Sequence, residues 1–138
     1  MVVLTVTPDE AMNAAVEAMS GEFRRKGADC WRTASNAFQA LFGVDPMGPH
    51  NYGTLAEAKA VIRNGGGRDA YCAMLAQRAG LIEAEQASGL IGIVKTDGQE
   101  FGWSGGLCIA PNVWAVKNGR GVSFLSDCIK CWGVPNGN

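Results

Sequence analysis

The sequence predicts an α+β domain, with helices in its first half packed on one side of a small antiparallel sheet formed by its second half. Three observations carry this prediction. Capped segments with apolar residues at helical spacing fill the chain up to Ala79. Short runs rich in β-branched and aromatic residues, separated by turn signals, fill most of the chain after Gly80. No internal repeat and no linker divides the two halves, so the 138 residues are expected to form a single domain, 1–138.

In chain order, Val2-Val3-Leu4-Thr5-Val6 is a short β-prone run. Thr7-Pro8-Asp9-Glu10 has the form of a helix start, with Thr7 as N-cap, Pro8 at the first helical position and Glu10 closing a capping box. Met12, Val16, Met19 and Phe23 come next at helical spacing and predict one apolar stripe, which Gly27 ends or interrupts. Asp29 is a good N-cap for a second helix running to Leu41-Phe42, with Gly43 as its stop and Trp31, Ala34, Phe38, Leu41 and Phe42 inward. Asp45-Pro46-Met47-Gly48-Pro49 reads as a loop. Thr54-Leu55-Ala56-Glu57 is a second capping box, opening a helix that Gly65-Gly66-Gly67 breaks. A fourth helix is expected from about Asp69 to Ala79.

Beyond Gly80 the periodicity changes. Leu90-Ile91-Gly92-Ile93-Val94 reads as a buried strand, leading into a turn at Thr96-Asp97-Gly98. Leu107 to Ala110 and Val113 to Val116 are two more strands, and Asn118-Gly119 predicts a tight hairpin into Gly121 to Phe124. A short helix near Leu125 to Cys131 and a final Trp132-Gly133-Val134 segment are expected to complete the chain.

Composition excludes several function classes. With a net charge of -1 and no basic run longer than Arg24-Arg25-Lys26, the chain lacks the concentrated positive charge that phosphate binding needs, so no nucleic-acid partner is expected. No apolar stretch is long enough to span a bilayer and no leader precedes a cleavage site, which predicts synthesis in a cytoplasm without a signal peptide. Five cysteines, an odd number without repeating spacing, predict reduced thiols rather than a disulfide framework. Cys128-Ile129-Lys130-Cys131 is a lone C-x-x-C, without the second pair that would argue for zinc; a metal site on Cys128 and Cys131 is the weaker alternative to plain packing beside Trp132. Gly65-Gly66-Gly67 is no phosphate loop, since no Lys-Ser/Thr comes after it. Of the four tryptophans, Trp31 and Trp132 are expected in the core, while Trp103 could be core or an exposed anchor for a partner.

Cys30 carries the sharpest chemical signal. A thiol at the first position of a helix meets free backbone N–H groups and the positive end of the helix dipole, which stabilise a thiolate. Gly27-Ala28-Asp29-Cys30, the helix after it, the Phe42-Gly43-Val44-Asp45-Pro46 exit and the strand entered at Gly89-Leu90 occur in that order. Ser104-Gly105-Gly106-Leu107-Cys108-Ile109 and Trp132-Gly133-Val134 complete the pattern. From Ala28 to Val134 the chain resembles a family of small phage-encoded proteins similar to the NlpC-type branch of the papain-like cysteine peptidases, a branch that includes phage tail-tip peptidases.

That resemblance implies a papain-like fold with Cys30 at the nucleophile position. The chain departs from the active pattern twice. Gly89-Leu90 stands where active members carry Gly-Asp, and Ser104-Gly105-Gly106 stands where they place the catalytic histidine. None of these three residues can act as a base near neutral pH, so Cys30 is expected to be a vestigial nucleophile. His50, the only histidine, is the alternative base, against the plainer reading of an exposed loop residue. The resemblance therefore implies a non-catalytic, structural component of a bacteriophage tail tip or baseplate, located in the virion. Its implied partners are tail hub and distal tail proteins in a symmetric ring, and no cofactor is implied. The alternative is an active peptidase or amidase on peptidoglycan using Cys30 and His50.

Overall fold

A computed structural model describes residues 6–20, 30–48, 55–96, 102–118 and 121–135, with Cys30 and residues 55–59 described through their backbone alone. Residues 2–5, Phe23, Gly27, Asp29, His50 and Thr54, which enter the sequence-based expectations, lie outside the described residues. Helices occupy the first half and strands the second, so the α+β class is observed.

Helix α1 (Pro8–Met19) starts with the capping box as expected: the Glu10 N–H donates to Thr7 Oγ1 at 3.1 Å and the Thr7 N–H donates to Glu10 Oε1 at 3.0 Å. Its inward face differs from the predicted stripe. Ala11, Ala14, Ala15 and Met19 are buried, Met12 lies at the margin, and Val16 is 44% exposed. The alanines win because their short side chains let α1 lie close on both the neighbouring helix and the sheet. From the sheet, Lys117 Nζ donates to the Met19 carbonyl at 2.6 Å, placing a cation at the helix C-terminus, and burial pushes the lysine pKa down.

Helix α2 (Cys30–Phe42) buries Trp31, Ala34, Ala37 and Phe38, with Leu41 and Phe42 half-buried, and stops at Gly43, whose φ is 75°. Helices α3 (Leu55–Asn64) and α4 (Arg68–Arg78) are parted by Gly66 and Gly67, both at positive φ. From α4, Tyr71, Cys72, Leu75 and Ala76 join the core that α1 and α2 share with the sheet.

The sheet contains, among the described residues, β1 (Ile82–Glu83), β2 (Ile91–Lys95), β3 (Trp103–Ala110), β4 (Val113–Asn118), β5 (Gly121–Leu125) and β6 (Cys128–Gly133), all pairs antiparallel, in the order β1-β6-β2-β3-β4-β5. Strand β1 is not legible in the sequence. Strand β3 begins four residues earlier than predicted, which settles Trp103 as a core residue at 6% exposure rather than an exposed anchor. The predicted helix near Leu125–Cys131 is instead the end of β5 and the start of β6. A bulge explains the difference. Lys130 opposes Ile93 and Cys128 opposes Val94, so Ile129 is an extra residue and Cys128 and Cys131 face the same side. Same-side residues three apart imitate helical spacing.

Strands β5 and β6 are four places apart in the sheet, yet only Ser126 and Asp127 connect them. Three Cα steps reach at most about 11 Å, whereas four flat strand spacings amount to about 19 Å. The sheet must therefore coil on itself, bringing its β5 side round toward β6. The Asp127 carbonyl, accepting from the Lys95 N–H at 2.8 Å, pins the connection to the end of β2.

Coiling gives the sheet two different faces. Its convex face carries Ile91, Ile93, Trp103, Leu107, Ile109 and Ala115 into the helical core. Its concave face encloses a second core of Leu90, Val94, Cys108, Trp114, Val116 and Cys131. Trp114 fills this hollow: it is fully buried, and its ring lies so close over Gly92 that a Cβ there would meet Cη2 at 2.7 Å. Its Nε1 donates to Gln86 Oε1 at 2.8 Å, tying the segment after β1 across the hollow.

Candidate functional site

The predicted nucleophile position opens α2, as the sequence required, but the side chain of Cys30 and the whole of His50 lie outside the described residues. The surroundings of that helix start are defined. Trp31, in the first turn, sets its ring edge-on to Trp132 of β6, with centroids 6.3 Å apart and planes at 82°. Trp132 opposes Ile91, and Ile91 opposes Leu107, so the helix start is anchored to the β6 and β2 side of the convex face.

Strand alternation decides what Ser104-Gly105-Gly106 can offer this helix. Their partners on β2 are Val94, Ile93 and Gly92 in an unbroken register. Ser104 and Gly106 therefore share the concave face with Cys108, and only Gly105 faces the helices with Trp103 and Leu107. Ser104 is fully buried, and its hydroxyl donates to the Gly105 carbonyl at 2.8 Å. The one position of the three that faces α2 has no side chain.

A second arrangement at the helix start has no counterpart among the sequence-based expectations. Arg32 is buried, and its guanidinium donates to Asp45 Oδ2 at 2.8 Å and to the Gly48 carbonyl at 2.6 Å. Asp45 Oδ1 accepts from the Met47 N–H at 3.0 Å, which shapes the loop between them. The clamp thus holds Gly48, two residues before His50, against the first turn of α2. The sequence hints at it only through Asp45-Pro46 after the helix stop. Arg32→Met is expected to cost about 1–3 kcal/mol, less than breaking a fully enclosed pair, because the Asp45 side chain is 26% exposed. Arg32→Lys should recover little of it, since an ammonium cannot reproduce the fork that reaches two acceptors. Urea denaturation of the three proteins measures both.

The C-x-x-C lies on β6, not on a helix. Cys128 is half-exposed and Cys131 is buried, both with free thiols, beside a groove of about 410 Å³ lined by Glu83–Gln86, Pro111, Asn112 and 128–131. The neighbouring Cys128 thiol holds the Cys131 pKa down, while Cys131 and burial raise that of Cys128. Cys131 in turn donates to the Ala84 carbonyl at 3.0 Å. Among the described residues no group of three or more Cys, His, Asp or Glu could hold a metal ion.

Cys108 lies deeper in the concave core. Burial, then the nearby Cys131, pushes its thiol from an ordinary 9.0 up to about 12. An unfolded chain would ionise there first. The stability this thiol contributes is therefore whole below about pH 9 and is lost as pH rises toward the folded value. Cys108→Ala is expected to show a shallower alkaline fall in denaturation midpoint than the wild type. Identical slopes would count against a buried neutral thiol.

Helices on the convex face of a coiled antiparallel sheet, one of them headed by a cysteine, define the class of this α+β domain. The chain belongs to the family described as domain of unknown function DUF6950, whose model matches residues 7–134. No curated protein and no solved structure matches it. No helix among the described residues is long and apolar enough to cross a membrane.

Proposed function

We propose that this is a papain-like, NlpC-type domain that has lost its peptidase chemistry and serves as a structural component of a bacteriophage tail tip or baseplate. The observation that supports the loss is the glycine at 105: where β3 faces the cysteine-headed helix, it supplies no proton-accepting side chain. Without such a base, a thiolate could attack a carbonyl but nothing would protonate the leaving amine. On this reading Cys30 marks descent. The partners are tail hub and distal tail proteins in a symmetric ring, and the protein resides in the virion.

The reading is tested by incubating the purified chain and Cys30→Ala with peptidoglycan and by cross-linking the chain in assembled tails. Equal inertness of the two proteins and cross-links to hub and distal tail proteins are expected. Muropeptide release by the wild type alone, or absence of the chain from purified tails, would overturn it.

A second reading has one observation in its favour. The Arg32 clamp draws the loop before His50 to the first turn of α2, the turn that Cys30 opens. A Cys30–His50 dyad predicts fast alkylation of Cys30 near neutral pH that His50→Ala slows. It also predicts cleavage of peptidoglycan that either substitution abolishes.

A further inference from the structure

The bulge in β6 places two thiols where they can react with each other. Cys128 and Cys131 oppose Val94 and Gly92, so both point to the concave side. Their α-carbons are separated by about two antiparallel strand steps, roughly 6.8 Å, at the upper end of the ~4.4–6.8 Å that disulfides span. Each thiol perturbs the ionisation of the other, and both border the groove beside Glu83–Gln86. A regular strand would have sent residues 128 and 131 to opposite faces.

We propose that Cys128 and Cys131 form a peroxide-sensitive dithiol that closes to an intrachain disulfide at the groove. Cys131 is buried at 4% exposure yet lines the groove, so an oxidant the size of hydrogen peroxide suits it better than a bulky disulfide. The Cys131 thiol first gives up the proton it donates to the Ala84 carbonyl, which ends on the departing hydroxide, and the thiolate attacks one peroxide oxygen. The O–O bond breaks, hydroxide leaves, and Cys131 becomes a sulfenic acid. Cys128 sulfur then attacks the Cys131 sulfur, the S–O bond breaks, and hydroxide takes up the thiol proton and departs as water. Two thiols and one peroxide give one disulfide and two waters, with both sulfurs oxidised and both peroxide oxygens reduced. The inference is independent of whether the domain is structural or catalytic.

Lys130 lies between the two cysteines, which makes the product easy to recognise. Trypsin separates Cys128, in the peptide 121–130, from Cys131, in the peptide 131–138, and only a 128–131 disulfide links those two peptides within one chain. Full-length reduced protein is treated with hydrogen peroxide, remaining thiols are blocked, and the digest is analysed by mass without reductant. The linked pair is expected at two hydrogen masses below the sum of its peptides. It should form roughly tenfold or more faster in folded protein than in chain unfolded by guanidinium, because folding pre-positions the sulfurs. Cys128→Ser should instead leave a dimedone-trappable sulfenic acid at Cys131. Equal rates in folded and unfolded chain, or recovery of both peptides as free thiols or sulfonic acids, would overturn the proposal. The wild-type measurement needs no variant to fold.

Discussion

Trp114→Ala is expected to lower stability by about 3–5 kcal/mol, the upper part of the range for large-to-small changes in a core. The ring is fully buried in the hollow of the coiled sheet. Cavities cost most where their walls cannot collapse, and these walls are hydrogen-bonded strands β2, β3 and β4. The substitution also removes one of the two donors to Gln86 Oε1, leaving it the Asn112 N–H at 2.7 Å. Trp114→Phe keeps most of the packing but not that bond, and should cost about 1–2 kcal/mol. Val16→Ala, on the exposed side of α1, should change stability by no more than about 0.5 kcal/mol. Guanidinium midpoints at unchanged m-value measure all three. A Trp114→Ala cost near that of Val16→Ala would mean the hollow is not a core.

How much of this fold is legible in the sequence differs by element. The capping box of α1 is, because Thr7 and Glu10 act within one turn and need nothing from the rest of the chain. The α1 stripe misleads for the opposite reason. Which side of that helix is buried depends on how closely it lies against α2 and the sheet, and Ala11 and Ala15 permit an approach that Val16 does not. Strand β2 can be read from its unbroken apolar run. Strand β6 cannot, because the bulge at Ile129 restores to a strand the three-residue spacing of a helix. The two-residue β1 carries too little pattern to be seen.

Around the candidate site, the helix start at Cys30 is dictated by local sequence. The helix-facing glycine at 105 and the buried serine at 104 require the register of β3 against β2. The Arg32 clamp requires a loop to return to its own helix, and only Asp45-Pro46 after the helix stop hints at that. The coil of the sheet is invisible in sequence, yet it explains the spacing of glycines: Gly92 and Gly106 lie side by side on the concave face. A Cβ at Gly92 would meet Trp114, and one at Gly106 would meet Val94 Cγ2 at 2.9 Å.

Gly92→Val tests that explanation and is expected to cost about 3 kcal/mol or more, beyond the usual range for overpacking. A Cβ at this position meets Trp114 Cη2 at 2.7 Å and Cζ3 at 2.8 Å, and on another side the Lys130 carbonyl oxygen at 2.8 Å. The first two atoms belong to an enclosed ring. The third is backbone at the β6 bulge, held in the ladder with β2. Neither neighbour is the free end of a flexible chain, so no cheap rotation relieves the clash. Gly121→Ala provides the contrast, since a Cβ there meets nothing within 4 Å. A double-mutant cycle separates the two obstacles at Gly92. In a Trp114→Ala background, Gly92→Ala loses the ring contact but keeps the carbonyl, so its cost should fall by about 1–3 kcal/mol without vanishing. Strict additivity would mean that ring and glycine do not compete for one volume, and the glycine would then be there for the backbone alone.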